Sequence, residues 1–199
     1  MDKYRNFAEL QQGEGIENYT IHLRHGHSGV VIIAPHGGGI EPGTFEIASN
    51  IGGVEHSFYG FEGHKSGRNQ DLHITSIHFD EPQCLDIVSG STTVIAIHGC
   101  RGAHENVYIG GLDKAVKDRL SRHLRAAGFN VKTHRKISLQ GVDSSNICNR
   151  GRTWKGVQLE LATGLRRIMF KGLNRRQRRH TTEVFSRFVR ALRQALEEL

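Results

Sequence analysis

The stretch Val30–Glu41 constrains the fold of this chain more than any other part of it. Its first four residues, Val30–Ile33, are all β-branched, which is the composition of a buried β-strand. We expect the strand to end at Ala34-Pro35 and to lead into a loop that carries His36, three glycines and Glu41. Glycine permits tight turns and lets a ligand approach the main chain. Because ligands of open α/β sheets bind just beyond the carboxyl ends of strands, this loop is a candidate site.

A second apolar strand, Thr92–Ile97, also ends in a histidine followed by glycine, at His98. Two such strands are expected to place His36 and His98 at one edge of the sheet. With Glu41 they make a ligand set for catalytic zinc, which usually takes three protein ligands and leaves one position open. Each histidine alone is also compatible with a hydrogen-bonded loop or core residue. Glu46 is an alternative to Glu41, which is preferred because it lies on the glycine loop rather than inside a predicted helix.

A third strand, Val157–Leu161, supplies a candidate catalytic carboxylate. Its odd-numbered residues are apolar and share one face, whereas Gln158 and Glu160 share the other. An unpaired carboxylate is costly to bury. Glu160 therefore either lies on a solvent-facing strand or faces the metal pocket as a general base, and the local sequence leaves both interpretations open.

Three further residues are candidates for contact with a substrate. His78 lies near the end of Leu72–Asp80, which is interpreted as a strand. Asn149 and Arg150 lie in a polar turn shortly before the third strand. The guanidinium of Arg150 can hold a carboxylate through two hydrogen bonds, and a structural salt bridge is the alternative for this residue.

Length and charge narrow the class of protein and of partner. The 199 residues fit a single domain, residues 1–199, with one substantial core. The formal net charge of +7 favours an anionic partner, and charge alone does not choose among nucleic acid, anionic lipid and an acidic substrate. The basic run Leu173–His180 has no interleaved aromatic residue and no flanking binding motif, so a solvated connection is preferred and no nucleic-acid partner is expected.

The cysteines and the N-terminus bear on the compartment. Three widely spaced cysteines without a Cys-x-x-Cys motif argue against a disulfide framework and suit cytoplasmic synthesis. The N-terminus lacks the apolar core of a signal peptide, and no window approaches the roughly 20 apolar residues of a membrane span. We expect a monomer without a membrane partner, with release by cell lysis left open.

Strands that alternate with helices, and site residues at strand ends, predict an α/β domain with a mixed or parallel sheet flanked by helices. Five motifs follow one another over roughly residues 30–165: His-Gly-Gly-Gly-Ile-Glu-Pro-Gly-Thr (36–44), Ser-Ile-His-Phe-Asp-Glu-Pro (76–82), His98-Gly99, Asn149-Arg150 and Lys-Gly-Val-Gln-Leu-Glu-Leu (155–161). Together they resemble the poly-γ-glutamate hydrolase family, whose members occur in bacteria, chiefly bacilli, and in their phages.

The resemblance implies a fold like the core of the zinc carboxypeptidases and an enzyme that cuts γ-glutamyl amide bonds. It implies one zinc ion held by His36, Glu41 and His98, with Glu160 as the catalytic carboxylate. A polyanionic γ-glutamyl substrate suits the positive net charge. Two other functions remain as alternatives: a zinc deacylase of small N-acyl acidic amino acids, and a nucleic-acid-binding protein that uses the basic run.

Overall fold

One mixed β-sheet organises the chain in the computed structural model, which describes residues 2–199. Within these residues its strands are β1 (Tyr19–Arg24), β2 (Val30–Gly38), β3 (Ser57–Gly63), β4 (Thr93–Cys100), β5 (Asn106–Gly110), β6 (Asn130–Lys132) and β7 (Val157–Ala162). Their spatial order is β1-β3-β2-β4-β7-β5-β6. β1 is antiparallel to β3 and β5 is antiparallel to β7, whereas the other neighbouring pairs are parallel. The predicted α/β fold with a mixed sheet is confirmed.

Helices cover both faces of the sheet. They are α1 (Phe7–Gly13), α2 (Thr44–Gly52), α3 (Pro82–Ser89), α4 (Lys114–Ala126), α5 (Thr163–Met169) and α6 (Glu183–Glu197). The alternation of β2 shows the two cores: Val30 and Ile32 belong to the cluster with α2, α4, α5 and α6, and Val31 and Ile33 to the cluster with α1 and α3. Burial on both faces explains why the central strands read as continuous apolar runs. Over residues 2–199, every helix is too short or too polar to cross a bilayer.

β2 is longer than the sequence indicated. It continues past Pro35 to Gly38, with an irregular register against β3 between Ala34 and Gly37. His36 therefore lies within the strand rather than on a loop after it. Gly38 has a φ of 67°, and a Cβ at this position would lie 2.3 Å from the carbonyl oxygen of Gly63. Only glycine allows the strand to end this close to its neighbour.

The prediction of a strand over Leu72–Asp80 is wrong. The segment begins in a short 3-10 helix, Asn69–Leu72, and continues through irregular structure and a turn. His78 is exposed in that turn and lines a surface depression with Arg5 and Arg150. Among residues 2–199 this segment pairs with no strand, and its local sequence does not show this.

Arg150 fixes loops together instead of presenting a free guanidinium. Its Nε donates to the carbonyl oxygen of Ser145 at 2.8 Å, and its Nη2 donates to that of Ile77 at 2.9 Å. A longer contact of 3.4 Å joins Nη1 to the carbonyl oxygen of Phe79. These contacts favour the structural alternative for Arg150, and its contact with a substrate carboxylate stays a prediction.

Asn149 has a similar role in the interior. Its side chain is fully buried, and its Oδ1 accepts a hydrogen bond from Gly156 N–H at 3.0 Å. Its Nδ2 donates to the carbonyl oxygens of Gly141 and Asp143, both at 2.8 Å. The amide is thus saturated by backbone partners and is not available to a substrate.

We predict that Arg150→Ala lowers the free energy of unfolding by about 1–3 kcal/mol, because backbone carbonyls lose a charged donor. Urea unfolding of the variant measures this change. Arg152→Ala is the matched control, since Arg152 is exposed and its one hydrogen bond in the structure is made by its backbone N–H. A variant of normal stability that binds an acidic substrate more weakly would contradict the structural role.

Candidate metal centre

Three side chains converge at the carboxyl ends of β2 and β4. The Nδ1 atoms of His36 and His98 lie 3.1 Å apart. Glu41 Oε1 lies 3.3 Å from His36 Nδ1, and Glu41 Oε2 lies 3.6 Å from His98 Nδ1. Glu41 Oε2 also accepts a hydrogen bond from Gly99 N–H at 2.8 Å. The structure thus brings together the three residues that the sequence predicted as ligands.

The outer nitrogens of the two imidazoles are held by other parts of the chain. His36 Nε2 lies 2.8 Å from the carbonyl oxygen of Ile74, and His98 Nε2 lies 3.4 Å from the hydroxyl of Ser76. A carbonyl oxygen only accepts, so His36 Nε2 carries the hydrogen and the Nδ1 of the neutral ring keeps its lone pair. Such outer partners fix the tautomer and the orientation of metal-binding histidines.

The spacing of the inner atoms fits a metal ion. Tetrahedral zinc with ligands at 2.0–2.1 Å keeps its ligand atoms about 3.3 Å apart, close to the 3.1, 3.3 and 3.6 Å between these three side chains. Among residues 2–199 this is the one group of three His, Cys, Asp or Glu side chains whose ligand atoms all lie within 4.8 Å of one another. Two imidazole nitrogens and a carboxylate are a donor set that suits zinc.

Glu160 faces this cluster from the next strand. In the parallel pairing of β4 and β7 it is the partner of His98, and it lines the same cavity. Its side chain is buried, and its Oε1 accepts a hydrogen bond from Gln158 Nε2 at 3.0 Å. Gln158 is held in turn by Asn146, whose Nδ2 donates to Gln158 Oε1 at 2.9 Å. The polar face of β7 is therefore an ordered interior surface.

The environments of the two carboxylates push their pKa values apart. Burial, together with the nearby charge of Glu41, raises the pKa of Glu160 well above its ordinary value. Burial also acts to raise the pKa of Glu41, but His36 and His98, when they are protonated, outweigh it through their charges and hydrogen bonds and lower that pKa. Paired carboxylates of unlike pKa are a common arrangement in hydrolytic sites.

The cluster opens into a cavity of about 500 Å³. Arg101, His134 and Lys136 contribute basic side chains to its lining. His78, Asn149 and Arg150 lie elsewhere, as described above. None of these basic residues was predicted to line the site, although Arg101 follows His98 by only three positions. His134 and Lys136 reach the cavity through long-range folding and carry no local signal.

Glu46, the alternative ligand, is engaged elsewhere. Its Oε1 accepts a hydrogen bond from Arg178 Nε at 2.7 Å, and the guanidinium of Arg178 is almost fully buried. Arg178 belongs to the basic run that raised the hypothesis of nucleic-acid binding. At least this member of the run therefore has a structural role.

Arg166 is a buried arginine that was not predicted from the sequence, and it hydrogen-bonds to the backbone next to the site. Arg166, on α5, donates to the carbonyl oxygens of Pro42, Cys100 and Leu161 at 2.7, 3.1 and 3.0 Å. These carbonyls belong to the loop after Glu41 and to the ends of β4 and β7. One guanidinium thus joins the three segments that carry the site residues. Burial lowers the pKa of Arg166, while the charge of Glu41 acts to raise it.

The chain matches known proteins over nearly its whole length. The family model described as poly-gamma-glutamate hydrolase matches residues 4–191. The SPbeta prophage-derived UPF0714 protein YoqZ of Bacillus subtilis (strain 168) is 37% identical over 199 residues, which cover 99% of this chain and 72% of YoqZ. The UPF0714 protein YndL of the same organism is 37% identical over 198 residues, which cover 95% of this chain and 78% of YndL.

Two solved structures have the same fold. A bacteriophage poly-gamma-glutamate hydrolase matches with a TM-score of 0.95 at 30% identity, over 100% of this chain and 98% of that one. A zinc-free apo structure of YndL matches with a TM-score of 0.94 at 35% identity, over 99% and 98% of the two chains. The family match includes every residue of the His-Glu-His cluster as well as Glu160. The chain belongs to the poly-γ-glutamate hydrolase family, as the resemblance of its motifs indicated.

Proposed function

We propose that this hydrolase uses zinc held by His36, Glu41 and His98 to cleave γ-glutamyl amide bonds in poly-γ-glutamate. The observation that carries the proposal is the convergence of these three side chains, at the spacing of zinc ligands, beside the buried carboxylate of Glu160. Membership of the family supports the substrate, and a zinc-free form of YndL supports zinc as the metal.

The ligand set leaves room for chemistry. Zinc at such a site polarises a carbonyl oxygen and lowers the pKa of a bound water. Three protein ligands would leave a coordination position open, and all three residues line the cavity. The Ile74 carbonyl and the Ser76 hydroxyl contact the outer nitrogens of His36 and His98, so that both Nδ1 atoms face Glu41.

Glu160 is the proton carrier in this mechanism. Gln158 Nε2 holds Glu160 Oε1. Within residues 2–199, Glu160 Oε2 has no hydrogen-bond partner, so this oxygen is free to accept the proton of an attacking water. Burial makes the carboxylate more basic, which suits a general base. The same oxygen then delivers the proton to the leaving nitrogen, and the carboxylate returns to its starting state.

The basic lining residues suit the charge of the substrate. In a γ-linked chain the amide bonds use the side-chain carboxyl groups, so every residue keeps a free α-carboxylate. Arg101, His134 and Lys136 line the cavity into which such carboxylates would enter. The guanidinium of Arg101 takes the role that the sequence analysis assigned to Arg150, because a guanidinium matches a carboxylate with two hydrogen bonds.

We predict that Glu160→Gln lowers turnover by at least about 10²- to 10⁴-fold, the usual contribution of general acid–base catalysis. Glutamine keeps the shape of the side chain but cannot take the proton of water. Zinc content should be unchanged because the three ligands remain, and kinetics beside metal analysis of the same preparation measure both quantities. Glu105→Gln, an exposed carboxylate outside the cavity, is the control. Near-normal turnover would exclude Glu160 as the base, and loss of zinc would make it a ligand.

We predict that Arg101→Gln raises the KM for poly-γ-glutamate by about 3- to 10-fold, since an exposed ion pair contributes about 1 kcal/mol. The effect should shrink at high salt because screening already weakens the attraction in the unmodified protein. Steady-state kinetics at low and high salt measure it, with Arg152→Gln as a control of equal charge change. An unchanged KM at low salt would remove Arg101 from the substrate path.

A further inference from the structure

A carboxylate from the start of the chain reaches the metal centre's surroundings. Asp2 Oδ1 lies 2.7 Å from His73 Nδ1. Asp2 Oδ2 accepts hydrogen bonds from both the backbone N–H and the hydroxyl of Thr75, each at 2.6 Å. The partners lie 71 and 73 residues further along the chain. One side chain therefore makes three short hydrogen bonds to a single distant segment.

That segment, His73–Ser76, contains the outer partners of both metal-binding histidines. Ile74 supplies the carbonyl oxygen that holds His36 Nε2, and Ser76 supplies the hydroxyl beside His98 Nε2. The ring of His73 also packs on the ring of His36, with centroids 4.1 Å apart. The position of this segment thus decides the orientation of both imidazoles.

No regular secondary structure fixes the segment, since the described residues 73–75 belong to neither a helix nor a strand. Its carboxyl end is anchored where Ile147 N–H donates to the carbonyl oxygen of Ser76 at 2.9 Å. The three hydrogen bonds to Asp2 lie on the amino side of that anchor. Without them, the amino side of the segment keeps the hydrogen bond from His73 N–H to the carbonyl oxygen of Gln70 at 3.2 Å and the buried side chain of Ile74, but no side-chain hydrogen bond to Thr75.

We propose that Asp2 is a positioning residue of the metal centre. Its carboxylate holds His73–Ser76 in place so that Ile74 and Ser76 keep both Nδ1 atoms turned toward the metal. The inference rests on the proposed zinc site and extends it to the N-terminal segment. Loss of an outer partner of a ligand typically costs about 10- to 100-fold in metal affinity. Asp2 acts through such partners and contacts no ligand itself, so we expect the lower end of that range, about 10-fold.

Other contacts hold the N-terminal segment without Asp2, so its replacement is expected to leave the fold intact. Lys3 Nζ pairs with Glu14 at 2.9 Å. Phe7 N–H donates to Asp80 Oδ1 at 2.7 Å. The side chain of Phe7 is buried in the core. A change in metal affinity can therefore be separated from a loss of folding.

The test measures the zinc affinity of metal-free protein by competition with a chelator, together with its thermal midpoint. Asp2→Ala should bind zinc about 10-fold more weakly, and the thermal midpoint of the metal-free form should fall by only a few degrees, about what the loss of partly exposed hydrogen bonds costs. Asp2→Asn keeps one acceptor oxygen and should lose less. Asp71→Asn is the control, because Asp71 pairs with Lys3 and Lys65 but makes no hydrogen bond to His73–Ser76 among the described residues.

Three results would overturn the inference. Zinc affinity of Asp2→Ala within about twofold of the unmodified protein would show that Asp2 does not position the centre. Equal losses of affinity and thermal midpoint in Asp2→Ala and Asp71→Asn would show a general structural role. Absence of zinc binding by the unmodified protein would overturn the proposed site together with this inference, whereas the first two results leave that site standing.

Discussion

The site depends on two buried imidazoles whose inner nitrogens face each other across 3.1 Å. The carbonyl oxygen of Ile74 requires the hydrogen of His36 to sit on the outer nitrogen. The inner nitrogen of neutral His36 is then an acceptor, which the Nδ1–H of His98 can satisfy in one tautomer, while Glu41 Oε2 accepts from Gly99 N–H. A bound cation would replace the hydrogen between the two rings and take both nitrogens and the Glu41 carboxylate as ligands. The distances of 3.1 to 3.6 Å between these atoms suit that exchange.

Sheet topology brings the reacting groups within reach. β2, β4 and β7 are parallel neighbours, so the residues near their carboxyl ends meet at one edge. The glycine-rich end of β2 then lets the chain turn back, with Glu41 N–H donating to the carbonyl oxygen of His36 at 2.8 Å. Arg166 donates hydrogen bonds to the loop after Glu41 and to the ends of β4 and β7, and so joins these three segments. The three segments that carry the candidate site are therefore joined by hydrogen bonds close to it, as a preorganised site requires.

The central site could be predicted from sequence because its signals are local. Apolar runs that end in His-Gly identify His36 and His98 as residues at strand ends, and alternation in β7 separates Glu160 from the apolar face. Whether that polar face is buried could not be inferred, because its burial depends on Asn146 and Leu139, which come from a separate loop.

Long-range contacts decide the structure around the peripheral candidates, and local sequence does not show those contacts. The segment Leu72–Asp80, interpreted as a strand, pairs with no strand among residues 2–199. The carbonyl oxygen of Ile74 instead holds His36, and the side-chain hydroxyl of Ser76 lies beside His98. The guanidinium of Arg150 could bind a carboxylate, but in the structure it donates hydrogen bonds to backbone carbonyl oxygens. Asp2 and Lys136 belong to no recognisable sequence motif. Their positions, Asp2 beside His73 and Thr75 and Lys136 in the cavity lining, follow only from the folded structure.

The most direct test of the central claim is zinc K-edge X-ray absorption on the zinc-loaded protein, with the metal quantified per chain. We expect one zinc with nitrogen and oxygen neighbours at about 2.0–2.1 Å, including the scattering pattern of two imidazoles. His36→Ala and His98→Ala should each lose that pattern. A sulfur neighbour at about 2.3 Å, as Cys100 in the cavity lining would give, or a zinc environment without imidazole, would contradict it.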